Sequence, residues 1–507
     1  MKNNFSRSFV IFIPVLFLFV ISCKKDFLTV DPRATQVEAN YYKNASQVFN
    51  GLVSVYDPLA WEAVGGYTSF ASLNAASDDC YGGGGSSSDV LFINVMNNYT
   101  LDAATGPQGD YWSRGFTGVS RANTLLSKLE GKSEITGLAD ATRKRYIAEV
   151  KFLRGYYYFD LVRLFKNIPL FTAPLAADEI YKATQVPPAD IYAQIEKDLL
   201  AAIAEINLPN TVAPATEGGR ITKGAAYALL GKVYLNEKKW TEAAKSLAEL
   251  NGNPGTMGKF GYRLLTSFPE IFRPDNKYHT ESVFEIGHTS LAANTGNEPL
   301  NQREGMLVSL MFGPRSYSGI LYYSGFGANP ITPGLFNLIH FDPRYKATVA
   351  DVDSLVKLNK AKYVPGYMNT GYFIQKFAPQ LAYQSTGAGK ANQNYPQNYI
   401  EIRLADTYLM EAEALVLGSG DVTRAATLLN AVRSRVGLSA VPATIDNIYA
   451  ERRLELATEG HRWYDLVRTG KAATILASKG FVAGKNELLP IPLAELNNTK
   501  LVQNPGY

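Results

Sequence analysis

Cysteine, histidine and tryptophan are scarce in this chain, at two, four and four among 507 residues. Two thiols cannot staple a disulfide scaffold, and so few Cys and His leave little material for a zinc site of that donor type. No HExxH, GxSxG, P-loop or GxGxxG spacing occurs, so metalloprotease, serine hydrolase and nucleotide chemistry have no local signature. Neither sign of charge dominates, since 50 Lys plus Arg face 46 Asp plus Glu for a formal charge of +4. The charges are spread along the chain, which excludes the basic footprint of a nucleic-acid binder. No cofactor and no metal is expected. Tyrosine and phenylalanine, by contrast, are plentiful at 31 and 25. The 46% hydrophobic and 19% charged composition suits a large buried core.

Residues 1–22 read as an export signal: Lys2 and Arg7, an apolar run from Phe9 to Ile21, then Ser22 before Cys23. The run is shorter than the roughly 20 residues a spanning helix needs, so cleavage is expected rather than retention. An aliphatic residue three places before a cysteine, with Ser22 between, resembles the bacterial lipobox. Cys23 would then be lipidated, and acyl chains would hold the protein on a membrane.

Beyond the signal, three- and four-residue apolar spacing predicts a mainly α, tetratricopeptide-like scaffold, an α-solenoid with large loop-rich insertions. Ile147, Val150, Leu153, Tyr157, Leu161 and Leu164 mark a long helix from Ala141 to Phe165. Pro187-Pro188 and Asp190 start a second, carried by Ile191, Ile195 and Leu199. Leu230, Gly231, Tyr234, Trp240, Ala243 and Leu247 fit a tetratricopeptide helix pair between Ala225 and Leu250. A looser pair follows around Leu409 to Leu415 and Ala425 to Val432, and further helices are expected over Tyr449 to Thr458 and His461 to Thr469. Two stretches interrupt the pattern, residues 59–111 and 251–399, rich in Gly, Pro, Asn and Tyr. Irregular segments of that length are usually functional. The organisation expected is thus an N-terminal helical region over 23–250 carrying a ligand loop at 59–111, a loop-rich insertion over 251–399, and a C-terminal helical region over 400–507.

The ordered motifs resemble one family. They run from Phe27-Leu28 and Asp31-Pro32 after Cys23, through Tyr111-Trp112 and Arg121-Ala122-Asn123, to the Ala148–Phe159 stretch AEVKFLRGYYYF. Gly219-Arg220-Ile221-Thr222-Lys223-Gly224 follows, then RLADTYLMEAEA over 403–414, Leu429–Arg435, Glu451–Leu456, Glu459–Arg468 and the closing Gln503–Tyr507. The series resembles the SusD/RagB family of Bacteroidetes outer-membrane lipoproteins. The resemblance implies a glycan-binding lipoprotein on the outer membrane, facing the cell exterior, that captures an oligosaccharide or peptide. It also implies a partner, a SusC-like TonB-dependent barrel to which nutrient is delivered. In place of the acidic residues many family members carry after the lipid cysteine, this chain has Lys24-Lys25.

Sugar rings offer apolar faces and hydroxyl edges, which call for flat aromatics beside Asp, Asn or Arg. The first interruption supplies Trp61, Tyr67, Asn74, Asp78, Asp79, Tyr81 and Tyr99; the second supplies Arg315, Tyr317, Tyr322, Tyr323 and Phe326. Trp112, Trp240 and Trp463 lie in scaffold motifs, so a platform of several Trp is not expected. Asp78-Asp79 could suggest glycoside hydrolysis, but that needs two carboxyls about 5 to 10 Å apart across a sugar, and adjacent side chains diverge. The expected chain is therefore not an enzyme; a lipid-anchored glycosidase or peptidase, and a ligand-free partner of the barrel, are the alternatives. The dense charges Glu451, Arg452, Arg453, Glu455, Glu459, Arg462, Asp465 and Arg468 are read as structural ion pairs along shared helix faces, Arg462 with Asp465 among them. His461 is read as a packing residue.

Overall fold

Residues 41–61, 70–131, 135–291, 304–385, 387 and 390–507 are described by the computed structural model of this chain. Cys23, Lys24-Lys25 and Tyr67 lie outside the described residues.

The principal helices are α1 (Ala45–Tyr56), α2 (Phe70–Ala76), α3 (Leu91–Asn98), α4 (Gln108–Leu129), α5 (Asp140–Phe165) and α6 (Pro188–Ala204). They continue as α7 (Lys223–Asn236), α8 (Trp240–Asn251), α9 (Leu404–Leu417), α10 (Val422–Arg435), α11 (Ile445–Glu455) and α12 (His461–Arg468). From α4 to α10 each helix packs on the next, and α11 returns against α9, which is the stacked helix-pair order of a tetratricopeptide-like solenoid.

Local chemistry sets the helix starts. Thr222, Asp421 and Thr444 cap α7, α10 and α11, their side chains accepting from the N–H groups of Ala225, of Thr423 and Arg424, and of Asn447. Close packing needs missing side chains at two crossings. A Cβ on Gly118 of α4 would sit 2.3 Å from the Tyr157 ring of α5, and one on Gly231 of α7 would sit 2.4 Å from Leu247 of α8. Because α5 is held between α4 and α6, it is buried nearly all round and its inward charges must pair. Arg154 does so in a two-pronged contact, donating to both oxygens of Asp198 on α6 at 2.8 and 2.7 Å.

The interruptions are more ordered than their composition suggests. The first contains α2 and α3, which are too short to show a helical period; every residue of α2 is buried, so no polar face marks it. Among the described residues, six short strands lie in and at the edges of the second: β1 (Ser282–Ile286), β2 (Ser318–Gly319), β3 (Val349–Asp351), β4 (Ala361–Lys362), β5 (Tyr372–Ile374) and β6 (Tyr399–Arg403). They form antiparallel pairs β1–β6, β2–β4 and β3–β5. The β1–β6 ribbon closes the neck of the insertion on the scaffold. Phe70, Cys80, Val90 and Ile93 from the first interruption share one apolar core with Met311, Phe312, Ile331 and Ile374 from the second. Two stretches far apart in sequence therefore fold as one cap.

Buried charges tie that cap to the last helices. Arg403 at the end of β6 donates to Glu455 at 2.5 Å, to Glu459 at 2.8 Å and to Glu281 at 3.2 Å. Arg344 pairs with Glu455 at 3.0 Å and Glu451 at 2.7 Å, and Lys376 donates to Glu459 at 2.7 Å. The cations around it hold the Glu455 carboxyl far below the usual range against the burial that would raise it. The C-terminal charges thus do pair, mostly between elements, with Asp465 and Arg468 pairing along the face of α12. Arg462 reaches Asp78 rather than Asp465, and Asp465 is held by Arg452 and Arg468.

Candidate functional site

The run Gly82–Gly85 is the root of the site, because its backbone lies against another chain segment where side chains would not fit. Antiparallel bridges join Cys80 to Ile331 and Gly83 to Ala328, and Gly84 N–H donates to Gly327 O at 3.0 Å. A third segment arrives at the same place: Tyr367 N–H donates to Gly84 O at 2.8 Å and Val364 N–H to Arg315 O at 2.8 Å. Asp89 locks the three together, accepting from Gly85 N–H at 2.6 Å and from the Arg315 guanidinium at 2.7 Å. Arg315 also donates to Phe326 O at 3.3 Å. Below this, Lys479 Nζ donates to the carbonyls of Ala75, Ser77 and Cys80 at 2.5, 2.6 and 2.9 Å, fixing the end of α2 where the Gly run begins.

The result is a patch of aromatic and apolar groups around one ion pair. Phe326 is 38% exposed, Ile320 is 82% and Val364 is 54%. The rings of Tyr81, Tyr323 and Tyr367 are half-buried. Tyr323 turns its hydroxyl inward, and burial pushes that phenol up to about 12, so any exposed part of the side chain is ring rather than hydroxyl. Exposed rings of this kind beside a charged hydrogen-bonding pair match the two surfaces of a sugar, apolar face and hydroxyl edge.

The structure brings Arg315 and Phe326 to these converging segments with Tyr81 at the start of the Gly run, places Tyr323 on the same loop with its N–H donating to Pro379 O at 2.8 Å, and places the other sequence candidates elsewhere. Tyr317 and Tyr322 are buried against each other, ring centres 5.5 Å apart, and Tyr322 donates to Gln375 at 2.6 Å. Tyr99 is buried and donates to Ala76 O. Asn74 donates to Thr458 O at 2.9 Å and accepts from Gly460 N–H at 3.0 Å. Asp78 and Asp79 are held by Arg453 and Arg462, with contacts of 2.7 to 2.8 Å. Trp61 donates to Asp57 at 3.0 Å and lies under the Arg121 guanidinium, 5.2 Å from its ring centre. Asp89 and Tyr367 were not legible as site residues: one sits in a Ser/Gly run without aromatics, the other behind a Pro-Gly turn.

One substitution separates the patch from the scaffold. A Cβ on Gly366 would lie 2.2 Å from Gly84 O and 3.2 Å from Arg315. Gly366→Ala is therefore expected to push the third segment off the Gly run and weaken ligand binding severalfold. The thermal midpoint, set by the distant helical core, should fall little; parallel binding and melting measurements check both.

Comparison with known proteins bears on this geometry. The model of the SusD family matches residues 340–507, and a second family model, described as starch-binding associating with outer membrane, matches residues 26–235. A solved structure of a laminarin-binding SusD-like protein is 46% identical, with a TM-score of 0.87 over 92% of this chain and 100% of that one. Surface glycan-binding protein A from Bacteroides thetaiotaomicron, in complex with laminarihexaose, is 26% identical, with a TM-score of 0.82 over 91% of this chain and 99% of that one. The starch-binding protein SusD of Bacteroides thetaiotaomicron is 26% identical over 77% of this chain and 76% of its own length.

Proposed function

This chain belongs to the SusD family, and from that premise we propose that it is a non-catalytic glycan-binding lipoprotein of the outer membrane that captures laminarin at the Gly82–Asp89, Arg315–Phe326 and Val364–Tyr367 patch. The observation that carries the reading is the exposed Phe326 ring beside the Arg315–Asp89 pair, in a fold whose 46% identical relative is named for binding laminarin. Burial is worth about 25 cal/mol per Å2, so a few stacked rings supply reversible capture rather than permanent retention. Anchoring through lipidated Cys23, display at the cell exterior and delivery of the glycan to a SusC-like TonB-dependent barrel complete the proposal. They rest on the lipobox-like end of the signal and on the family.

The non-catalytic part has support in the carboxylates. Asp78 and Asp79, the pair that could suggest hydrolysis, are both tied to arginines. Asp89 at the patch is tied to Arg315. Glycoside hydrolysis needs one carboxyl free as acid and a second as base or nucleophile.

The test is native gel electrophoresis of the chain lacking residues 1–23 through laminarin, starch, xylan and mannan, with the same mixtures assayed for new reducing ends. Retardation by laminarin without new ends is expected. New ends would replace this reading with a glycosidase, and no retardation by any polymer would move the search to peptides.

A further inference from the structure

A second feature lies inside the protein, where α4, α5, α7 and α12 meet β6. A chamber of about 60 Å3 is open there to water-sized spheres, well above the roughly 10–15 Å3 that one water needs. Its walls carry ionisable groups that the glycan patch does not use. Lys232 is 7% exposed and His461 8%, and neither side chain makes a hydrogen bond with any described residue. Lys232 has only Asp406, at 3.6 Å. Glu401, on β6, faces the chamber with neither a hydrogen bond nor an ion pair to any described residue.

The charges around the chamber show what is missing. Arg114 of α4 and Arg163 of α5 share Asp160, Arg114 at 2.8 Å, and Arg163 is stacked between the Phe159 and Tyr464 rings at 4.1 and 4.0 Å from their centres. Behind Lys232, Asp406 of α9 also accepts from Arg452 of α11 at 2.7 Å. Arg452 continues to Asp465, Asp465 to Arg468 and Arg468 to Glu413. Among the described residues these five cations touch four carboxylates, and Glu401 is the remaining acid. Tyr111, Tyr156 and Tyr399 line the walls as neutral phenols, their ionisation pushed up by burial. His461, and His288 at the far side, are held neutral near neutral pH, burial pushing both down to about 4. An ionised Glu401 would be a half-buried carboxylate at the chamber wall without a direct partner among the described residues; a protonated one leaves the surrounding cations one charge in excess.

We propose that the chamber is a binding site for one small monovalent anion, a halide or a simple carboxylate, seated between Lys232, His461 and the Arg114–Arg163 pair, and taken up together with a proton on Glu401. Lys232, only loosely paired with Asp406 at 3.6 Å, supplies positive charge, and the His461 imidazole and the hydroxyls of Tyr156 and Tyr464 supply neutral donors. Burial and the nearby Asp160 raise the Glu401 carboxyl against the pull of Lys232, Arg163 and Arg114. Anion affinity therefore rises as pH falls toward the Glu401 value, by up to about tenfold per pH unit.

The test compares thermal midpoints of the full chain in detergent in sodium bromide, sodium formate and sodium gluconate at equal ionic strength, near pH 5 and near pH 8. Bromide or formate should raise the midpoint over bulky gluconate, more so near pH 5, and whichever raises it more identifies the halide or the carboxylate as the better ligand. Lys232→Met should abolish the difference between salts. Glu401→Gln should keep the difference and remove its pH dependence, and this variant decides the matter if Lys232→Met does not fold. Bromide crystals should show an anomalous peak in the chamber. Equal midpoints in all three salts, a salt effect undiminished in Lys232→Met, or a wild-type pH dependence in Glu401→Gln would overturn the proposal.

Discussion

Phe326→Ala weakens laminarin binding by about tenfold to a hundredfold and leaves the thermal midpoint within about a degree of the parent. The ring is 38% exposed and belongs to none of the buried apolar clusters among the described residues, so truncation removes a stacking face without opening the core. Full burial of a Phe side chain is worth about 1.5 to 3 kcal/mol, and each 1.4 kcal/mol is about tenfold in affinity. Surface changes of this kind usually stay within about 0.5 kcal/mol of the parent stability. Tyr323→Ala should add to the loss. Trp61→Ala should not, because Trp61 is already occupied by Asp57 and Arg121. Titration calorimetry on the three variants checks the pattern, and equal losses from Trp61→Ala and Phe326→Ala would contradict it.

Arg403→Met has the opposite signature, a large loss of stability with a binding site left intact in the molecules that remain folded. Removing the guanidinium leaves Glu281, Glu455 and Glu459 buried without the cation they share. Breaking such a pair from one side typically costs about 3–5 kcal/mol, which for a protein of this size means a midpoint lower by about 5 °C. Acid should act on the same network. Glu455, Glu459, Asp406 and Asp465 all have folded-state values held below their ordinary ones, Asp465 at about 2. Their stabilisation is complete above the unfolded values of 4.5 for Glu and 3.8 for Asp and is lost as pH falls through the lower folded ones. Melting curves from about pH 6 down to about pH 3 should show the parent losing stability more steeply than Arg403→Met, in which Glu459 has lost its main cation and Glu455 one of the three that hold it, Arg435 and Arg344 remaining.

The scaffold was legible in the sequence because its helices are long enough to repeat an apolar spacing. Ile147 through Leu164 predict α5 nearly to the residue, and Leu230 through Leu247 predict the α7–α8 pair. The helices α2 and α3 were not legible, since two turns give no period and α2 has no polar face. Nor were the partners of the C-terminal charges. Spacing along one helix suggests Arg462 with Asp465, whereas the partner it finds, Asp78, is 384 residues away. The proposed site was partly legible: Gly, Pro and aromatic clustering pointed to the loop that carries Arg315, Tyr323 and Phe326, but the same clustering also drew in Tyr317 and Tyr322, which pack against each other, and Tyr99, which packs in the helical core against Phe481. Aromatic composition does not distinguish a ring that faces a ligand from one that fills a small core. The proposed site is marked instead by the meeting of three segments at Gly84, which depends on contacts across more than 200 residues.

The most direct measurement is a crystal structure of the chain lacking residues 1–23, grown with laminarihexaose. The glucan should lie across the patch with a sugar face on Phe326 and hydroxyls within hydrogen-bonding distance of Arg315 or Asp89, its glycosidic bonds uncut. A glucan seated instead at Trp61, or recovered as cleaved products, would contradict capture at this patch without catalysis.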